Sequence, residues 1–260
     1  MIYLLFESVR TFIPGRLSSA PTFTLDNYTE LWQSSYLLFL TDTLRISAIS
    51  AVVSTAIGFL IAHYLVREAG KTMRVIVLTL VVALMFIGIA RVFSLALAFG
   101  NYGVLGIFRQ MFGIRGNEFA YLQFIVIAGI VHYIAPIATL TMVGYLASID
   151  RRLSEAAQSL GASRVQAFGG IFLPLAAPGI VAVLLMSFAL AASAFSVPVI
   201  IGRGLVTTIT TLIYQRFSEV PNYPSGAALS ITLFCISIGI IALSSFVARY
   251  LRRRIGGGLA

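Results

Sequence analysis

The amino-acid sequence predicts an all-α integral membrane protein with five spanning helices and one polar loop held between two of them. Three observations predict it. Hydrophobic residues make up 59% of the 260 and charged residues only 10%, whereas a water-soluble chain carries about 25% charged residues. The apolar residues gather in runs of about 20, the length that crosses a hydrocarbon core of about 30 Å. The cationic side chains gather in alternate segments between those runs, the pattern of a multi-pass protein that obeys the positive-inside rule.

Residues 1–40 are mixed in character and contain Pro14, Gly15 and Pro21. They read as an extracytoplasmic or interfacial lead-in with one short helix near Asn27–Ser34. The opening MIYLLFESVR is broken by Glu7 and Arg10, and is too short for the apolar region of a secretory signal or for a span. The membrane domain then occupies residues 41–250, with spans at about Ile46–Val66, Val75–Gly100, Tyr121–Ala147, Ala177–Ile201 and Ala227–Ala248. Asp42 and Arg45 lie three residues apart at the outer end of the first span, where they could pair on one helix face. The loop Asn101–Ala120, with Gly103, Gly106, Gly113 and Gly116, is expected to hold a short helix near Leu105–Met111. Pro136 and Pro198 each remove a backbone donor and are expected to kink their helices. In Arg203–Gly226, the spacing of Leu205, Ile209, Leu212, Ile213 and Arg216 predicts a short amphipathic helix lying at the interface and ending before Pro221 and Pro224. Cys235, the single cysteine, lies in the last span and reads as a small core hydrophobe. Residues 251–260 form a basic tail. No internal repeat or low-complexity tract is present.

The net charge of +9 reflects topology, not nucleic-acid binding. Arg67, Lys71 and Arg74 follow the first span, Arg151, Arg152 and Arg164 follow the third, and Arg249, Arg252, Arg253 and Arg254 follow the fifth. These segments are therefore expected in the cytoplasm, with the N-terminus outside.

The segment between the third and fourth spans predicts a compact helix–turn–helix. Asp150 is placed to cap a helix. Leu153, Ala156, Ala157 and Leu160 follow at i, i+3, i+4 and i+7, which makes a small apolar stripe. Gly161 suits the left-handed residue that ends a helix. Ser163 and Gln166 have the spacing of a capping box. Val165, Phe168 and Phe172 form a second stripe, and Pro174 is expected to stop it.

Residues 155–174, EAAQSLGASRVQAFGGIFLP, resemble the EAA loop of permease subunits of binding-protein-dependent ABC importers. The resemblance is carried by Glu155, Ala156, Ala157, Gly161, Ala162, Phe168, Ile171, Leu173 and Pro174, followed by Pro178 and Gly179. It extends from about Phe23 to Ala248, where the stretches 91–106 and 213–230 are similar to permeases of the spermidine/putrescine type. It implies the fold of a type I ABC importer transmembrane domain, with a five-helix core and a cytoplasmic coupling loop. Many members carry another helix before this core, so the chain either has five spans or begins downstream of one. Glu155, Ala156, Ala157, Ser159, Leu160, Gly161, Ala162 and Arg164 would form the surface that couples to an ATPase. The implied partners are an ABC ATPase dimer, a second permease subunit, an extracytoplasmic solute-binding protein and the bilayer of a bacterial inner membrane. No cofactor is expected on this chain; ATP and Mg²⁺ would bind the ATPase. The implied cargo is a small solute of polyamine, opine, phosphonate or iron type.

The chain's own residues agree with a subunit that carries no motor. REAGKT at 67–72 ends like a phosphate-binding loop, yet Leu65 stands where the first glycine must be. There is no HExxH and no GxSxG. Arg91 lies nine residues before Gly100, about 13 Å into the second span at about 1.5 Å per residue. A charge there costs about 2.5–3.5 kcal/mol, so Arg91 is expected to face a water-filled path, with His132 and Tyr133 as further candidates, or to bond carbonyls structurally. An intramembrane enzyme or a secondary carrier are the other classes considered. The first needs a buried nucleophile with a base, and the missing GxSxG weakens a serine hydrolase while leaving an intramembrane protease open; the second usually shows inverted repeats and intramembrane carboxylates, and neither of those is found.

Overall fold

The computed structural model describes residues 2–12, 22–86, 88–100, 103, 106, 107, 111 and 118–256. The described residues fold as helices: α1 (Ile2–Ser8), α2 (Asp26–Thr29, extended by a 3₁₀ turn over Glu30–Trp32), α3 (Ser34–Arg67), α4 (Lys71–Phe86), α5 (Gly88–Phe99) and α6 (Glu118–Ala147). They continue as α7 (Arg151–Ser159), α8 (Arg164–Ala167), a π turn (Phe168–Phe172), α9 (Leu173–Ser193), α10 (Ser196–Gly202), α11 (Ile209–Ser218) and α12 (Tyr223–Gly256). Among these residues the single extended pairing is the bridge of Arg10 with Phe23. The helix expected near Leu105–Met111 falls mostly outside the described residues.

Among the described residues four helical stretches are long and apolar enough to cross a membrane: Ser35–Arg67, Phe119–Ala147, Arg164–Ser193 and Tyr223–Phe246. A fifth exists when α4 and α5 are taken as one broken span. Within the span expected over Val75–Gly100 the helix is thus broken in two. The break falls before Gly88, whose φ of 35° is readily taken only by a residue without a Cβ.

The fourth span departs from expectation at both ends. The helix does not stop at Pro174. In the π turn the Leu173 amide donates to the Phe168 carbonyl, five residues back, so the missing donor of Pro174 is absorbed by a local change of winding. At its far end the span stops at Ser193 and a new helix starts at Ser196. Pro198 therefore sits in the first turn of α10, where a missing N–H costs little.

The chain sorts into two compact units, one of Met1–Ala48, Val92–Ile127 and Ala192–Ala260, the other of Ile49–Arg91 and Ala128–Ala191. The first has a small core of Ile209, Leu229 and Leu233, flanked by Phe39, Leu40, Leu212 and Ile213. Thr208 caps α11, and the Ile209 amide donates to the Thr43 hydroxyl at 2.9 Å. The first turn of α11 is accordingly buried, which corrects the expectation of a helix merely lying at an interface. Asn27 donates to the carbonyls of Ser8 and Arg10 at 2.9 and 2.8 Å, tying α2 to α1. The expected Asp42–Arg45 pair does not form; the ion pair among the described residues is Arg10 with Glu7. A pair with an exposed member gains too little to hold two side chains in one geometry. Cys235 is exposed on α12, not in the core, because a lone thiol is apolar enough to face lipid.

The second unit is built on Ala62, Ala138, Met142, Leu146, Phe172, Ala176 and Val183. Small residues let its helices touch by backbone. A Cβ on Gly58 would lie 2.9 Å from the Ala138 carbonyl carbon, and one on Gly179 would lie 2.2 Å from the Tyr145 ring. Ser50, Ser54 and Thr55 are buried on α3, further small side chains of the kind that permit close helix approach in lipid.

Candidate functional site

The polar loop folds as its capping signals predict. The Asp150 carboxylate accepts from the Arg152 amide at 2.9 Å and starts α7. At the other end Gly161 takes φ 97°. Its amide donates to the Gln158 carbonyl and that of Ala162 to the Ala157 carbonyl, both at 3.0 Å. That crossed pair is a Schellman motif, which requires the left-handed residue glycine supplies. The capping box is complete. The Ser163 amide donates to Gln166 Oε1 at 2.8 Å and the Gln166 amide to Ser163 Oγ at 3.3 Å. Both ends of the turn are therefore locked by local bonds.

The two expected apolar stripes fare differently. Phe172 is buried in the unit's core and Phe168 packs against that core. No residue of α7 is buried; Leu160 is 91% exposed and Val165 80% exposed. Ala156 and Glu155 also face out, and Ala157 and Ala162 are half-buried. The Ser159 hydroxyl is spent within α7, donating to the Glu155 carbonyl at 3.0 Å. Beside α7 opens a cleft of about 530 Å³ lined by Arg67, Glu68, Arg151, Ser154, Glu155, Gln158 and Arg164 above Phe168 and Phe172. Among the described residues none of its charged groups is ion-paired.

The three residues expected along a path occupy a separate place in the same unit. Arg91 is 6% exposed. Its Nη1 donates to the Leu84 carbonyl at 2.7 Å, and its guanidinium lies 5.6 Å from the Tyr133 ring centroid. The Leu84 carbonyl belongs to the last turn of α4, where carbonyls lack intrahelical donors. Tyr133 is 41% exposed and His132 half-buried.

Sequence reasoning missed the residues that fasten the loop. Arg67, at the end of α3, donates through Nη2 to the Ile149 carbonyl at 3.3 Å. Arg151 donates through Nη2 to the Arg67 carbonyl at 2.5 Å. The Arg67 guanidinium lies 4.7 Å from the Phe172 ring centroid. His63 meets Phe168 and Phe172 edge-on, at 5.3 and 5.1 Å. The signal was present: Phe59, His63 and Arg67 recur every four residues and so share one face of α3.

Helices long and apolar enough to cross a membrane, with a self-locked helix–turn–helix between two of them, agree with a membrane transport subunit. The chain belongs to the family described as binding-protein-dependent transport system inner membrane component, whose pattern matches residues 44–257. It is 30% identical over 223 residues to the spermidine/putrescine transport system permease protein PotB of Escherichia coli (strain K12), covering 85% of this chain and 81% of that one. To PotB of Haemophilus influenzae it is 27% identical over 234 residues, covering 89% and 82%. A bacterial ABC transporter involved in the import of the acidic polysaccharide alginate shares its fold with a TM-score of 0.75 at 22% identity, over 89% of this chain and 85% of that one. The chain is thus a multi-pass inner-membrane permease component of a binding-protein-dependent ABC importer, a transport subunit and not an enzyme.

Proposed function

We propose that residues 150–174 are the coupling loop of this permease, that they face the cytoplasm, and that the turn from Glu155 to Arg164, beyond the first turn of α7, seats in a cleft of a separate ATPase subunit which binds ATP and Mg²⁺. The exposure of Leu160 and Val165, 91% and 80%, carries this reading. Two large apolar side chains held outward on either side of a rigid glycine turn are anchors of the kind a partner's pocket covers. Glu155 pairs with a cation on that partner. Gly161 sets the angle between α7 and α8, and Arg164 forms part of the contact. The alternation of cationic segments supports the orientation, including a cytoplasmic C-terminus.

The chain works beside a second permease subunit, two ATPase subunits and an extracytoplasmic binding protein. The spermidine/putrescine relatives support a polyamine as the solute. Arg91 is not offered as a partner for the solute, because its guanidinium is engaged by the Leu84 carbonyl and the Tyr133 ring. Of the residues expected along the path we put forward Tyr133, whose ring is partly open, with His132 beside it and Arg91 behind.

The test is reconstitution with and without the ATPase, together with calorimetry of the binding protein against spermidine, putrescine, phosphonates, opines and ferric ion. Uptake that needs ATP and all four kinds of subunit, with spermidine or putrescine as the ligand bound, is the expected result. Uptake without the ATPase rules out the coupling reading, and binding of a phosphonate or ferric ion alone rules out the polyamine.

A further inference from the structure

Chain connectivity ties the loop to only two spans, α6 before it and α9 after it. The structure adds a third. The carbonyls of Arg67 and Ile149 stand at the C-terminal ends of α3 and α6, where helix carbonyls lack intrahelical donors and cations are favoured. Each receives an arginine from the neighbouring element: Arg67 to Ile149 and Arg151 to Arg67. The two bonds run in opposite senses, so together they bind the end of α3 to the first turn of α7. A second fastening lies one turn back, where His63 and Arg67 pack on the rings of Phe168 and Phe172 at the π turn that begins the fourth span.

We propose that Arg67 and Arg151 are positioning residues that make α3 a driven element of the transport cycle, so that motion of α7 reaches the first span as well as the third and fourth. The inference rests on the reading of residues 150–174 as the coupling loop. Hydrogen bonds serve this purpose better than ring packing alone, because they weaken steeply with misalignment and so resist sliding. Arg151 is exposed and its bond is made to backbone. Its removal therefore leaves the packed core of the unit untouched.

The test uses the complete importer in proteoliposomes with its loaded binding protein and radiolabelled spermidine. Arg67→Ala, Arg67→Lys and Arg151→Ala are compared with the native chain. A spin label on Tyr64→Cys, exposed near the end of α3, is placed in a Cys235→Ala background and reports ATP-dependent change without reference to solute. Arg67→Ala and Arg151→Ala should retain the ATPase on purification and hydrolyse ATP. Their uptake per ATP should fall about fivefold or more, the lower end of usual coupling strengths, and the label response should shrink in step. Arg67→Lys keeps a donor and a charge and should recover part of the loss. Should Arg67→Ala fail to assemble, Arg151→Ala decides; should the importer not carry spermidine, the label decides. Native uptake per ATP, or an unchanged label response, in Arg151→Ala overturns the proposal. Glu155→Lys separates it from the underlying reading: loss of the ATPase in that variant upholds the coupling loop even where the clasp fails, and retention with full uptake removes both.

Discussion

Arg91 donates to the carbonyl oxygen of Leu84 at 2.7 Å, across the break that divides the second apolar run into α4 and α5. The bond gives a buried cation a partner where, among the described residues, no carboxylate pairs with it. It also gives the last turn of α4 a donor that the broken helix cannot supply. The Tyr133 ring, 5.6 Å away, adds the attraction of its face for a cation.

Replacing Arg91 tests this role against a role in solute contact. Arg91→Leu removes a charge-assisted hydrogen bond and should lower stability by about 1.5–3 kcal/mol, read as a lower midpoint of thermal unfolding in detergent. A midpoint unchanged from the native chain, with uptake lost, would assign the residue to the path instead.

Gly161→Ala places a Cβ on a residue at φ 97°. The left-handed conformation costs a residue with a side chain about 1–2 kcal/mol. The turn should open, and co-purification of the ATPase should weaken while membrane levels stay native. Gly70→Ala, where a Cβ would meet nothing and φ is ordinary, serves as the control and should retain the ATPase.

Leu160→Asp and Val165→Asp act on side chains that are 91% and 80% exposed. Their effect on the folding of the isolated subunit should stay within about 0.5 kcal/mol, as for surface substitutions generally. ATPase affinity should fall about tenfold or more, the loss of an interface anchor of roughly 1.4 kcal/mol or above. Titration of detergent-solubilised permease with ATPase reads both numbers.

Gly179→Ala drives a Cβ to 2.2 Å from the Tyr145 ring. Overpacking of a fitted contact costs about 1–3 kcal/mol. Tyr145→Ala in the same chain should return part of that loss, so the double variant is less destabilised than the sum of the two. Simple additivity in thermal unfolding would show that the contact does not exist.

Much of the site was legible because its signals are local. Asp150, Gly161 and the pair Ser163 and Gln166 act within four residues of themselves, and each forms the bond its spacing predicts. The fate of the apolar stripes was not legible. Leu160 and Val165 match Phe168 and Phe172 in hydrophobicity, yet only the last two pack into the core of their unit. Periodicity names a face, but it does not name what covers it.

The sequence by itself determined that the chain is helical, that it crosses a membrane several times, and where the self-locked turn at Gly161 must fall. Those properties follow from composition and from bonds between near neighbours, which no distant contact has to supply. Tertiary structure alone decided that the second apolar run breaks at Gly88, that Arg91 answers the carbonyl of Leu84, and that Arg67 donates to the Ile149 carbonyl while Arg151 donates to that of Arg67. The partners in those two bonds lie 82 and 84 positions apart. No pattern along the chain records which carbonyls folding leaves without a donor, or which cation arrives beside them.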